Sequence, residues 1–195
     1  MNTVELVYFS LGRAFEHLEL LVSDLTQEQA DWLPPGNANS IGALYWHIIG
    51  YVDQLVHEWC MPPFAQIAIE EWFESRRDLE MGQVPLRHSA GWQEKVVSAL
   101  PPENPEDPYW DVRAVREGLQ VDLPALHDYA HVTAQTILDW VASLAPEDLE
   151  RMIPTPFGDY NQGQFLEYFI VWHINVHCGE IAVLKGCQGL KGYPW

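Results

Sequence analysis

The chain has 195 residues, 48 % of them hydrophobic and nine of them Trp, which is enough apolar mass for a single domain spanning 1–195 with a full core. Ten basic residues against 28 acidic ones give a formal charge of −18. That balance repels a phosphate backbone and an anionic membrane surface alike, and so argues against nucleic acid and membranes as partners.

The N-terminus, Met1 to Glu5, lacks the basic and apolar regions of a signal peptide, and no later stretch has the length and apolarity of a membrane span. Cys60, Cys178 and Cys187 are odd in number and show no Cys-x-x-Cys spacing, so reduced thiols in a cytoplasmic protein are expected.

From Val4 onward, Val7, Leu11, Ala14, Leu18, Leu21 and Leu25 recur at three- and four-residue steps with charged residues between them, which predicts a first amphipathic helix. Pro34-Pro35-Gly36 cannot continue it. Asn39 or Ser40 can cap a second helix that carries Ile41, Leu44, Ile48, Tyr51 and Leu55 on one face, with His47 on the same face. Met61-Pro62-Pro63 closes that helix. Phe64 to Arg77 reads as a shorter helix. Residues 78–120 form a long connection rich in Pro and Gly, with one short helix around Trp92–Leu100 and three aromatics, Trp92, Tyr109 and Trp110, suited to packing over something.

Asp122 is the expected N-cap of a third long helix through Leu126, Ala130, Thr133, Ile137, Val141 and Leu144. After the turn at Pro154 to Gly158, a fourth helix begins near Asn161 and runs to Lys185, with Gly186 as its C-cap. No segment alternates with period two, so the fold class is all-α. The four long helices are expected near 3–24, 40–60, 122–144 and 162–185.

The two halves echo each other. Each has a helix ending in Leu-x-x-Glu (Leu25 to Glu28, Leu144 to Glu147), a Pro-rich loop, and a helix with Trp-His-Ile at Trp46-His47-Ile48 or Trp172-His173-Ile174. Two such helical hairpins predict a four-helix bundle with a pseudo-two-fold in which His47 and His173 converge. His173 and His177 are four residues apart, so their imidazoles differ by about 40° of rotation and one turn of rise and point the same way. They and Glu180 fall in the apolar stripe of Leu166, Phe169, Ile170, Ile181 and Leu184, where polar groups are costly unless paired. A metal with its supporting residues is one way to pair them.

These residues resemble the DinB/YfiT-like family, four-helix bundles that hold a metal with three histidines. In that family one ligand lies in Ser-x-Gly-x-x-x-x-His and two lie in His-x-x-x-His-Arg-Gly-Gln-Ile. This chain has Ser40-Ile41-Gly42-Ala43-Leu44-Tyr45-Trp46-His47, and His173-Ile174-Asn175-Val176-His177-Cys178-Gly179-Glu180-Ile181. Cys178 stands where Arg is usual and Glu180 where Gln is usual, while the three ligand positions are intact. The resemblance implies a divalent transition metal on His47, His173 and His177. Zinc comes first, and nickel, iron or manganese are compatible. It also implies a homodimer, a small-molecule substrate and, as in mycothiol-dependent maleylpyruvate isomerase and the bacillithiol transferases, a low-molecular-weight thiol.

Three histidines leave an ion an exchangeable position, the arrangement of catalytic sites. The expected function is a metal-dependent thiol S-transferase or isomerase acting on a small electrophile. A metal-dependent hydrolase and a non-catalytic metal- or ligand-binding stress protein are the alternatives. Glu180 is the candidate catalytic residue, as general base or as a carboxylate orienting a histidine, against a plain helix-end carboxylate paired with Lys185 or solvent. Cys178, about 100° from His177, is expected to pack as a small hydrophobe. His127 and His131 repeat the four-residue spacing without a partner motif and read as a solvated or edge pair, with a share in a metal site as the alternative. His17 and His57 read as surface residues, and His88 has no assigned place.

Overall fold

The computed structural model describes residues 2–61, 91–99, 118–155 and 157–193. The expected helix at Phe64 to Arg77, His88, Tyr109 and Trp110 lie outside them. The first helix, α1 (Thr3–Val22), starts where the Asn2 side chain accepts the Glu5 N–H at 2.8 Å and the Glu5 carboxylate accepts the Asn2 N–H in return at 2.9 Å, a reciprocal cap. Its stripe of Val7, Leu11, Leu18 and Leu21 is buried, as the periodicity predicts. A one-turn helix follows, α2 (Gln27–Asp31), which begins inside the first Leu-x-x-Glu. The second Leu-x-x-Glu likewise runs into one turn of 3-10 helix (Pro146–Glu150).

Ser40 caps α3 (Ile41–Leu55), its Oγ accepting the Ala43 N–H at 3.2 Å. The helix continues into a π turn at Val56–Cys60. Arg151 closes that end by donating to the carbonyls of Trp59 and Cys60 at 3.2 and 3.0 Å, a cation where a helix leaves its last acceptors open. Gly42 has a packing reason: a Cβ there would stand 2.9 Å from Val121 Cγ2 and 3.3 Å from the Ala30 carbonyl oxygen. Only glycine lets α3 approach α2 and the residues preceding the third long helix so closely.

The short helix expected over Trp92–Leu100 is only partly helical. It runs as α4 (Trp92–Val96) and then turns into strand β1 (Val97–Ala99), which pairs antiparallel with β2 (Gln120–Val121). Trp92 does pack inward, its ring stacked on Tyr129 at 5.5 Å. The third long helix, α5 (Leu123–Ala142), starts at Asp122, whose Oδ1 accepts the Ala125 N–H at 2.8 Å. A second departure from all-helix is the hairpin of β3 (Met152–Thr155) and β4 (Gly158–Asn161), where a turn alone was expected.

The last long helix is α6 (Gln162–Phe165), a π turn at Leu166–Val171, and α7 (Trp172–Cys187) without a break between them. Its cap is not Gly186. Gly189, at φ +75°, reverses the chain, and the Leu190 and Gly189 N–H groups donate to the Lys185 and Gly186 carbonyls at 2.9 and 3.0 Å.

α1 packs on α5 and α7, and so does α3. Helices α3 and α7, which carry the two histidine motifs, are thereby neighbours. The described residues are all-α in class, with two short strand pairs at the ends of helices. Among them, no helix is long and apolar enough to cross a membrane.

Candidate metal centre

The N-cap at Ser40 sets the phase of α3 and places His47 on the side facing α7. On α7, His173 and His177 follow directly after the π turn, a feature that recurs at functional sites because it resets which residues face inward. The three imidazoles meet. Ring centroids are 5.0 Å apart for His47 and His173, 5.0 Å for His47 and His177, and 4.5 Å for His173 and His177. One ring nitrogen from each lies within 4.8 Å of the others, and among the described residues no other group of three or more His, Cys, Asp or Glu side chains does this.

The electrostatics suit a cation ligand set. Burial first, and the neighbouring His177 second, hold His47 down at about 4 against a counter-pull from Glu180. Burial and the other two imidazoles hold His173 at about 3. Both are therefore neutral at pH 7, with a lone pair to give. His173 Nε2 is buried with no hydrogen-bond partner, a cost that an ion would remove. At His177, Nδ1 lies 2.6 Å from Glu180 Oε2. A ring whose Nδ1–H is given to a carboxylate offers Nε2 outward, the usual support of a metal-binding histidine. The residues present fit a metal.

These shifts predict how the metal-free protein responds to acid. In the unfolded chain both histidines take up protons near 6.5, while in the fold they do so only near 4 and 3. Between these values the unfolded state binds more protons, so stability is full above about pH 6.5 and falls as the pH drops. The unfolding free energy of the apo-protein, measured by urea titration, is expected to decline from pH 6.5 to 5, above the carboxylate range, with a slope of at most about 1.4 kcal/mol per pH unit for each histidine. A His47→Gln, His173→Gln double variant flattens that slope. An unchanged slope would mean that the two imidazoles are not buried as described.

The remaining expected site residues fall as follows. Glu180 is exposed and pairs with His177, whereas Lys185 is buried and paired with Asp24, so the helix-end pair between Glu180 and Lys185 does not form. Cys178 is fully buried and its thiol is pushed up to about 12 by that burial, as a small hydrophobe would be. His131 is exposed; His127 is half-buried, its Nδ1 3.3 Å from the Tyr45 hydroxyl, and neither joins the cluster.

Two placements correct the sequence reading. His17 is half-buried against Tyr193 and Asn175, because the last helix and the tail cover that side of α1. His57 is buried, not at the surface, with Nδ1 2.7 Å from Oδ1 of the fully buried Asp53. One residue at the cluster was read from sequence only as part of the apolar face shared with His47: Tyr51, whose ring stacks on His173 at 4.1 Å. Its position four residues after His47 was the available signal.

The sequence profile of the DinB superfamily matches residues 10–181. No curated protein sequence matches the chain. Among solved structures, one described as the crystal structure of the conserved protein of locus from Enterococcus faecalis is similar at a TM-score of 0.65 and 18 % identity, covering 95 % of this chain and 96 % of that one. At that identity the likeness speaks for the fold alone.

Proposed function

The chain belongs to the DinB superfamily, and from that premise we propose that it holds a divalent transition ion, zinc first, on His47, His173 and His177 and joins a low-molecular-weight thiol to a small electrophile. The observation that carries this reading is the meeting of the three imidazoles, with the buried Nε2 of His173 lacking any protein partner. Such an ion, when bound, lowers the pKa of a thiol or water beside it and so supplies a nucleophile at neutral pH.

The protein's own groups support this chemistry. Glu180 fixes the tautomer of His177 through Oε2 and is therefore not spent as a fourth ligand. Its side chain is 52 % exposed, which leaves Oε1 at the rim to accept the proton that an incoming thiol gives up. The three cysteines are free thiols, consistent with a reducing cytoplasm in which small thiols are abundant. Thiol is favoured over water because relatives in the resembled family use such thiols, and the charge of −18 disfavours nucleic acid.

The test compares metal-loaded protein, apo-protein and the His177→Ala variant, each with glutathione, bacillithiol or mycothiol and a panel of electrophiles. Thiol consumption is expected from the loaded protein alone. Equal rates in all three samples would leave a metal-binding protein without this activity.

A further inference from the structure

Three tyrosines line the inner sides of α3 and α5, and two have hydroxyls in use. Tyr129 donates to Asp53 Oδ2 at 2.6 Å, and Tyr45 lies 3.3 Å from His127 Nδ1. The third, Tyr51, differs. Its ring is fixed, stacked on His173 at 4.1 Å and 23° and lying 5.8 Å from His47. Its hydroxyl, however, has no hydrogen bond among the described residues and is not closed off from solvent. The ring is half-buried while the O–H stays open to an incoming group, the two-ended character of tyrosine at binding surfaces. Here a rigid ring holds an unused donor beside the imidazole cluster.

The cluster has little else to offer an incoming group by hydrogen bonding. His177 has committed Nδ1 to Glu180. A nitrogen that holds an ion is no longer a donor or acceptor for anything else. Glu180 is an acceptor only and repels negative charge. Among the described residues, an anionic ligand atom at this place would therefore meet a suitable donor in the phenol of Tyr51.

Resting on the metal reading above, we infer that Tyr51 is a recognition residue: its hydroxyl donates a hydrogen bond to an anionic atom, such as a thiolate sulfur, held beside the three histidines, and so biases the site toward anionic over neutral ligands. The ring braces His173, and the O–H does the selecting. Separating the two roles requires a variant that keeps the ring.

The test uses the cobalt(II)-loaded protein, whose visible absorption reports on the ion's surroundings, with azide as the anionic probe and imidazole as a neutral one that brings its own N–H. Tyr51→Phe is expected to bind cobalt as wild type does, to bind azide on the order of tenfold more weakly, as the loss of a hydrogen bond to a charged group implies, and to bind imidazole unchanged. Equal azide affinity in the two proteins would overturn the inference. So would a parallel loss for azide and imidazole, which would make Tyr51 a packing residue, or a loss of cobalt affinity, which would make the phenol a ligand. If wild-type protein takes up no cobalt, the metal reading itself fails, and this inference fails with it.

Discussion

Replacing His47, His173 or His177 by alanine is expected to reduce bound divalent metal to background, while His127→Ala and His131→Ala keep full occupancy. Each of the three contributes one nitrogen to a set confined within 4.8 Å, and two imidazoles alone hold an ion far less well than three. Changing a supporting residue costs metal affinity about 10–100-fold, and that is the scale expected for Glu180→Gln, which keeps the shape of the side chain but weakens its hold on His177 Nδ1. Removing a ligand should cost more than this. The control pair is demanding because His127 and His131 repeat the four-residue spacing, yet one leans on Tyr45 and the other faces solvent. Metal content by mass spectrometry after dialysis, with calorimetric titration of zinc, gives the ranking. Equal losses from the His127 and His131 variants would move the centre to α5.

The cluster was legible in the sequence because it depends on helical phase alone. Histidines four residues apart share a face, and Trp-His-Ile in both halves marks equivalent inward positions, so convergence needed only that α3 and α7 be neighbours. What escaped reading depends on which element covers a given side. His57 is ten residues after His47, about 280° around the helix, and a face turned so far from the presumed core was taken for solvent. In the structure α5 covers that face, and Tyr129 and Asp53 meet there. The Asp53 to His57 spacing, also four, was a signal that went unused.

The hairpin was missed for another reason. Met152–Thr155 shows a two-residue burial alternation, but over four residues, one of them Pro154, it is too short to separate from a turn. The π turn at Leu166–Val171 left no mark in the pattern either, since one extra residue in a helix shifts the apolar stripe without interrupting it.

The second large effect expected is on stability, from Asp53. This carboxylate is fully buried, accepts the Tyr129 hydroxyl on Oδ2 at 2.6 Å, and has His57 Nδ1 2.7 Å from Oδ1. Burial pulls His57 down, but the hydrogen bond and charge of Asp53 outweigh it and leave the imidazole above its ordinary value. The pair therefore adds stability that is full below about pH 6.5 and is lost as the pH rises through the raised value, opposite in sign to His47 and His173.

Asp53→Ala would take the buried carboxylate away from the Tyr129 hydroxyl and from His57, whose Nδ1 would keep only the residue-53 carbonyl at 2.8 Å, between α3 and α5, where Trp46 and Trp92 pack on the Tyr129 ring at 5.7 and 5.5 Å. Breaking a buried pair from one side costs about 3–5 kcal/mol, against about 1–2 kcal/mol for Tyr129→Phe, which removes one hydrogen bond and keeps the ring. Because both act on one network, the double variant should cost less than the two losses added. Urea unfolding of the apo-proteins measures all three, and the His57 titration followed by NMR should move down in Asp53→Ala. A loss under about 1 kcal/mol for Asp53→Ala, or additive losses in the double variant, would mean that the buried carboxylate and the tyrosine do not depend on each other.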